Sequence, residues 1–122
     1  MGMISPPSPP EREELESLSG VTLIIFGASW CGFCQTFLRW FVPLLTELEG
    51  MTEFRGERCY WIEDGPGKRL GRSFQVRLWP TVVVLFDGQT RAKFVRPKPE
   101  ELREELWRLA SFDRPNSESA NG

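Results

Sequence analysis

The chain contains no histidine. That absence removes every mechanism that uses imidazole as base or ligand, including Ser-His-Asp and Cys-His pairs. Only three cysteines are present, too few for a four-cysteine zinc site, and a mixed Cys/His site is excluded as well. An odd cysteine count also argues against a disulfide scaffold. No run of 18 apolar residues occurs, so nothing reads as a membrane span. The start of the chain lacks a basic stretch followed by an apolar core, so it does not read as a secretory signal. Strong charge of one sign is missing too. Residues 1–20 carry net −3, residues 111–122 net −1, and residues 21–110 net +2. That is too weak for a nucleic-acid footprint, which needs a basic stripe.

What is there fits one domain. The 122 residues are 40% hydrophobic and 26% charged, and a chain of this size can bury a core of its own. Residues 1–9 hold three prolines and are expected to be irregular and disordered. Ser8, Pro9 and the acids that follow predict a helix over about 10–18, with Ser8 as its cap. Val21–Phe26 is an unbroken apolar, β-branched run, the pattern of a strand buried on both faces. Phe37, Leu38, Phe41, Leu44, Leu45 and Leu48 recur at three and four residues, so a helix follows from Cys31 to about Glu49. Pro43 should kink it and Gly50 should close it.

Arg58–Ile62 reads as a second strand and Pro66–Phe74 as a basic helical segment. Thr81–Phe86 and Arg91–Arg96 read as strands joined at the Asp87-Gly88 turn. Pro97 ends the last strand, and Lys98–Ala110 is an amphipathic helix with Leu102, Leu106 and Leu109 on one side. Residues 111–122 are expected to be a polar tail beyond a domain spanning 10–110. A long helical crossover implies parallel strands and the tight turn antiparallel ones. The fold class is therefore α/β, with a mixed sheet of four, or at most five, strands and helices on both faces.

The chemistry concentrates at Trp30-Cys31-Gly32-Phe33-Cys34, just after the first strand and at a helix start. Thiols three apart in a first turn share a face and lie within reach of a disulfide. Cys31 sits where unpaired N–H groups and the helix dipole favour a thiolate, so its pKa should fall below the free value of about 8.5. Cys34 is one turn further in and more buried. Cys31 is thus the candidate nucleophile and Cys34 the resolving thiol. The second element is Trp79-Pro80-Thr81, a proline opening an apolar strand.

The Cys pair after a buried strand, Trp79-Pro80-Thr81 about 46 residues later, and then a hairpin and a terminal helix resemble the thioredoxin family over residues 21–110. The resemblance implies a cis Pro80 opposite Cys31 and Cys34, with the backbone of Trp79 pairing with a substrate strand. It implies a substrate surface of Trp30, Gly32, Phe33, Trp79 and Thr81; Trp30 and Trp79 are either that platform or core aromatics. Arg77 stands where the family often has arginine. The implied function is reduction of protein disulfides in the cytoplasm through a Cys31/Cys34 dithiol–disulfide cycle. Electrons would come from a separate reductase and not from a bound cofactor: Gly65-Pro66-Gly67-Lys68 has neither phosphate-loop spacing. No cofactor, metal, nucleic acid or membrane is expected, and a monomer suffices. Oxidation or isomerisation of disulfides, or a non-catalytic binding module, are the alternatives.

Several positions depart from the family. Ile25 stands where a buried Asp is usual, six residues before the first Cys, and Tyr60 stands near the usual Lys. Without the Asp, Cys34 must lose its proton to water or to the leaving thiolate, so slower resolution is expected. Phe33 replaces the usual Pro between the cysteines, and Pro43 lies about four residues later than the family's helix proline. The extra turn would leave Phe37, Leu38, Trp40 and Phe41 as core or as a partner surface. Cys59 is either a buried structural thiol or a third redox thiol, and Lys68, Arg69 and Arg72 are either a solvated face or a docking site for acidic partners.

Overall fold

A computed structural model describes the backbone of residues 3–52, 54–55 and 58–112, and the side chains of those residues as far as 109. Its elements are α1 (Arg12–Glu16), β1 (Val21–Gly27), α2 (Gly32–Met51), β2 (Cys59–Glu63), α3 (Arg69–Ser73), β3 (Thr81–Phe86), β4 (Gln89–Val95) and α4 (Pro99–Phe112). The sheet order is β2-β1-β3-β4. β1 runs parallel to β2 and antiparallel to β3, and β3 is antiparallel to β4. The expected mixed four-stranded sheet is therefore present.

β1 is buried along its whole length because both sheet faces are covered. Its side chains alternate between two cores. Leu23 and Ile25 enter the larger one with Phe37, Phe41, Leu44 and Leu48 of α2 and Leu102, Leu106 and Leu109 of α4. Ile24 and Phe26 enter the other with Leu15 of α1 and Leu70 and Phe74 around α3. Burying each such side chain contributes about 1.5–3 kcal/mol. The sheet is thereby clamped from both sides, and the carboxyl end of β1 is held as a rigid platform.

The Asp87-Gly88 turn has φ values of 52° and 81°, the left-handed pair that a two-residue hairpin of this twist requires. Gly88 is doubly constrained, since a Cβ there would overlap the Glu16 carbonyl. The N-terminal stretch contributes one residue to the sheet. Ile4 bridges Tyr60 in parallel, donating its N–H to Cys59 O at 2.9 Å and accepting from Trp61 N at 2.9 Å. This bridge sits at the free edge of β2.

Four local expectations are corrected. The first helix is capped by Glu11, not Ser8, through a reciprocal capping box with Glu14. The long helix, with Pro43 inside it as expected, is not closed by Gly50 but runs to Met51. Thr52 ends it, its hydroxyl and N–H both donating to Leu48 O. The segment from Pro66 is helical only over Arg69–Ser73, because Gly65 to Lys68 form a turn first. Of the tail expected at 111–122, residues 111 and 112 belong to α4 instead, and 113–122 lies outside the described residues.

Candidate active site

β1 ends at Gly27, and the chain turns through Ala28, Ser29 and Trp30 into α2. Cys31 is the N-cap of α2, and its N–H donates to Ala28 O at 3.0 Å. Cys34 lies one turn inside. Cys31 is 8% exposed and Cys34 1%, and both are free thiols packed with Ala28, Trp61 and Trp79.

The two thiols are driven apart in acidity. Burial pushes the Cys31 thiol up, but the N–H groups of Cys34 and Phe33, the Cys34 thiol and the charge of Arg96 outweigh it, leaving it below the ordinary 9.0. Burial pushes Cys34 up to about 11, with the neighbouring Cys31 and the carboxylate of Glu63 adding to the rise. A thiol of lowered pKa at the helix start and a more deeply buried thiol of raised pKa are the arrangement that thiol–disulfide exchange needs.

The Trp79–Pro80 peptide bond is cis. Trp79 is half-buried, with its indole N–H donating to Asp64 Oδ2 at 2.8 Å and its ring meeting that of Trp30 edge-on at 5.7 Å. Trp30 itself is 74% exposed and Phe33 59%, so neither is a core aromatic. Thr81 is a correction. Expected on the substrate surface, its side chain is fully buried and its hydroxyl donates to Leu78 O at 2.6 Å, which ties down the loop that carries Pro80.

Cys59 joins the larger core with Leu23 and Phe54, a different cluster from that of Cys31 and Cys34. Burial pushes its thiol well up, which makes it a structural thiol. Phe37 and Phe41 are core, at 2% and 0% exposure. Lys68, Arg69 and Arg72 are all exposed. No group of acids and cysteines suited to a metal ion occurs among the described residues.

Sequence reasoning missed three residues. Trp61 lies against Cys34, and its indole N–H donates to Glu63 Oε1 at 3.1 Å. Glu63 also accepts from Ser29 N at 2.8 Å; burial alone would push its carboxyl up, but the Ser29 and Trp61 donors and Lys68 bring it below the usual range. Arg96 places its guanidinium 3.9 Å above the Phe33 ring, donates Nε–H to Trp79 O at 2.7 Å and donates its backbone N–H to Pro80 O at 2.8 Å. Its φ of 49° is unusual for a residue with a side chain, at a cost of about 1–2 kcal/mol. A charged residue at a strand end ordinarily reads as solvated, so no sequence signal marked it.

Comparison with known proteins decides the family. The family model described as Thioredoxin matches residues 12–108. The chain belongs to the thioredoxin family. A thioredoxin of Staphylococcus haemolyticus is 32% identical over 84 residues, covering 68% of this chain and 75% of that protein. The reduced form of thioredoxin 2 from Pseudomonas aeruginosa is 42% identical, covering 92% of this chain and 99% of that one, with a TM-score of 0.66. Thioredoxin from Trypanosoma brucei brucei, at 18% identity and a TM-score of 0.73, shares the fold. As a thioredoxin-family protein, the chain is a thiol–disulfide oxidoreductase with Cys31 and Cys34 as its redox pair. Where other thioredoxins carry the buried Asp, Ile25 is fully buried among apolar side chains. The charge of the Glu63 carboxylate, from the end of β2, adds to the rise of the Cys34 thiol.

Proposed function

We propose that the chain reduces protein disulfides, with Cys31 as nucleophile and Cys34 as resolving thiol. The Cys31 thiolate attacks one sulfur of the substrate disulfide. A Cys31–substrate disulfide forms and the other substrate sulfur leaves as a thiolate. Cys34 then gives its proton to that thiolate or to water and attacks the Cys31 sulfur. The Cys31–Cys34 disulfide forms and the second substrate thiolate departs. A separate reductase returns two electrons to the pair.

The observation that carries this reading is the asymmetry of the thiols, Cys31 lowered at the helix start and Cys34 more deeply buried and raised to about 11. Trp30, Gly32, Phe33 and Trp79 form the substrate surface in this reading, beside the cis Pro80; the exposure of Trp30 and Phe33 supports it. The protein acts as a cytoplasmic monomer, without nucleic acid or membrane. An unpaired Cys59 suits a reducing compartment.

A redox titration of the Cys31–Cys34 pair, read by Trp fluorescence and thiol mass spectrometry, tests the direction. A strongly reducing potential is the expected result. A markedly oxidising one would replace reduction by disulfide donation or isomerisation. No disulfide at all would leave a binding module.

A further inference from the structure

Beside the cysteine pair runs a groove of about 620 Å³, lined by Phe33, Thr36, Phe37, Trp40, Pro80 and Arg96 among others. Its walls are apolar or neutral except for Arg96. Among the described residues no carboxylate pairs with Arg96; its side chain bonds only Trp79 O and stacks on Phe33. The carbonyl of Trp79 is the acceptor that a substrate strand adding to this loop would use. In the free protein one lone pair of that oxygen already accepts from the Arg96 guanidinium.

We propose that Arg96 is a specificity-determining residue that selects disulfide substrates with an acidic side chain next to the reacting cystine. The proposal rests on the reductase reading above. A substrate N–H that pairs with Trp79 O either shares that oxygen with the Arg96 Nε–H or takes its place, and in both cases the guanidinium lies beside the substrate strand. A neutral side chain there offers the guanidinium no charged partner. An acidic side chain offers it a charge-assisted, two-pronged partner instead. A basic side chain adds repulsion. Its own backbone N–H bond to Pro80 O holds the Arg96 Cα at the groove.

The test uses three disulfide-linked peptides that differ only in Glu, Gln or Lys beside the cystine. Their single-turnover reduction by the pre-reduced full chain is measured for the wild type, Arg96→Gly and Arg96→Lys. Glycine suits the φ of 49°, so the first variant should fold; Arg96→Lys keeps the charge should it not. Because Arg96 also favours the Cys31 thiolate, the readout is the ratio between peptides and not the absolute rate. The wild type should favour Glu over Gln by about five- to tenfold, as a part-exposed charge-assisted pair allows. Lys should be slowest. Arg96→Gly should bring the ratios near one, Arg96→Lys should keep part of them, and added salt should shrink them. A wild-type ratio of one, or equal ratios in the wild type and Arg96→Gly, would overturn the proposal. Failure to reduce any of the three peptides would overturn the reductase reading and the proposal with it.

Discussion

Gly27 and Trp61 share one volume: a Cβ on Gly27 would stand 2.5 Å from the Trp61 ring and 2.8 Å from Cys34 Sγ. The indole of β2 therefore closes over the end of β1 and onto the resolving thiol, and only glycine leaves it room. Gly27→Ala should force Trp61 off Cys34. We expect a loss of about 1–3 kcal/mol, the usual cost of overpacking, and faster alkylation of Cys34. Urea unfolding and iodoacetamide mass mapping measure both; an unchanged midpoint with unchanged alkylation would remove the packing argument.

The acidities of the two thiols predict the pH behaviour of the reduced protein. Thiolate absorbance should show one group titrating below 9.0, Cys31, and one near 11, Cys34. The stability consequences have opposite signs. The depressed Cys31 contributes stability that is fully present above its unfolded value and is lost as pH falls through its folded value. The raised Cys34 contributes stability that is present below 9.0 and is lost as pH rises towards 11, with Cys59 acting in the same direction. Stability of the reduced chain should accordingly drop between pH 9 and 11, as urea titrations at both ends can test.

Among the described residues no carboxylate is buried, and Ile25 stands where the family resemblance calls for one. An Ile25→Asp variant should shorten the lifetime of the Cys31 mixed disulfide, while burial of an unpaired carboxyl in an apolar cluster costs about 2–4 kcal/mol of stability. Rapid-quench trapping of the mixed disulfide gives the lifetime. Equal lifetimes in wild type and variant would mean that proton removal does not limit resolution.

Asp64 reaches Trp79 only because Gly71 is bare, since a Cβ on Gly71 would overlap the Asp64 carboxylate. Gly71→Ala should push Asp64 away, free the Trp79 indole and loosen the aromatic pair with Trp30. The expected outcome is a shift in Trp emission and a raised KM for disulfide substrates with a smaller change in kcat. An unaltered spectrum would show that Trp79 is held without Asp64.

Local chemistry by itself determined much of this protein. The strand of Val21–Phe26, the helix carrying Cys31 and Cys34 and the Asp87-Gly88 hairpin were legible, because each depends on residues close along the chain, through periodicity, helix-end dipoles and left-handed turn residues. The tertiary structure alone decided what surrounds the thiols. The parallel register sets Ile25 opposite Trp61 and Gly27 opposite Glu63, and a slip of one residue would turn those side chains to the other face. The same holds for Arg96, which lies 63 positions beyond Phe33 yet stacks on it. It also holds for Thr81, which composition could not distinguish from a substrate contact but which the packed loop seals inside. Register and loop packing are long-range contacts, and no periodicity along the chain encodes them.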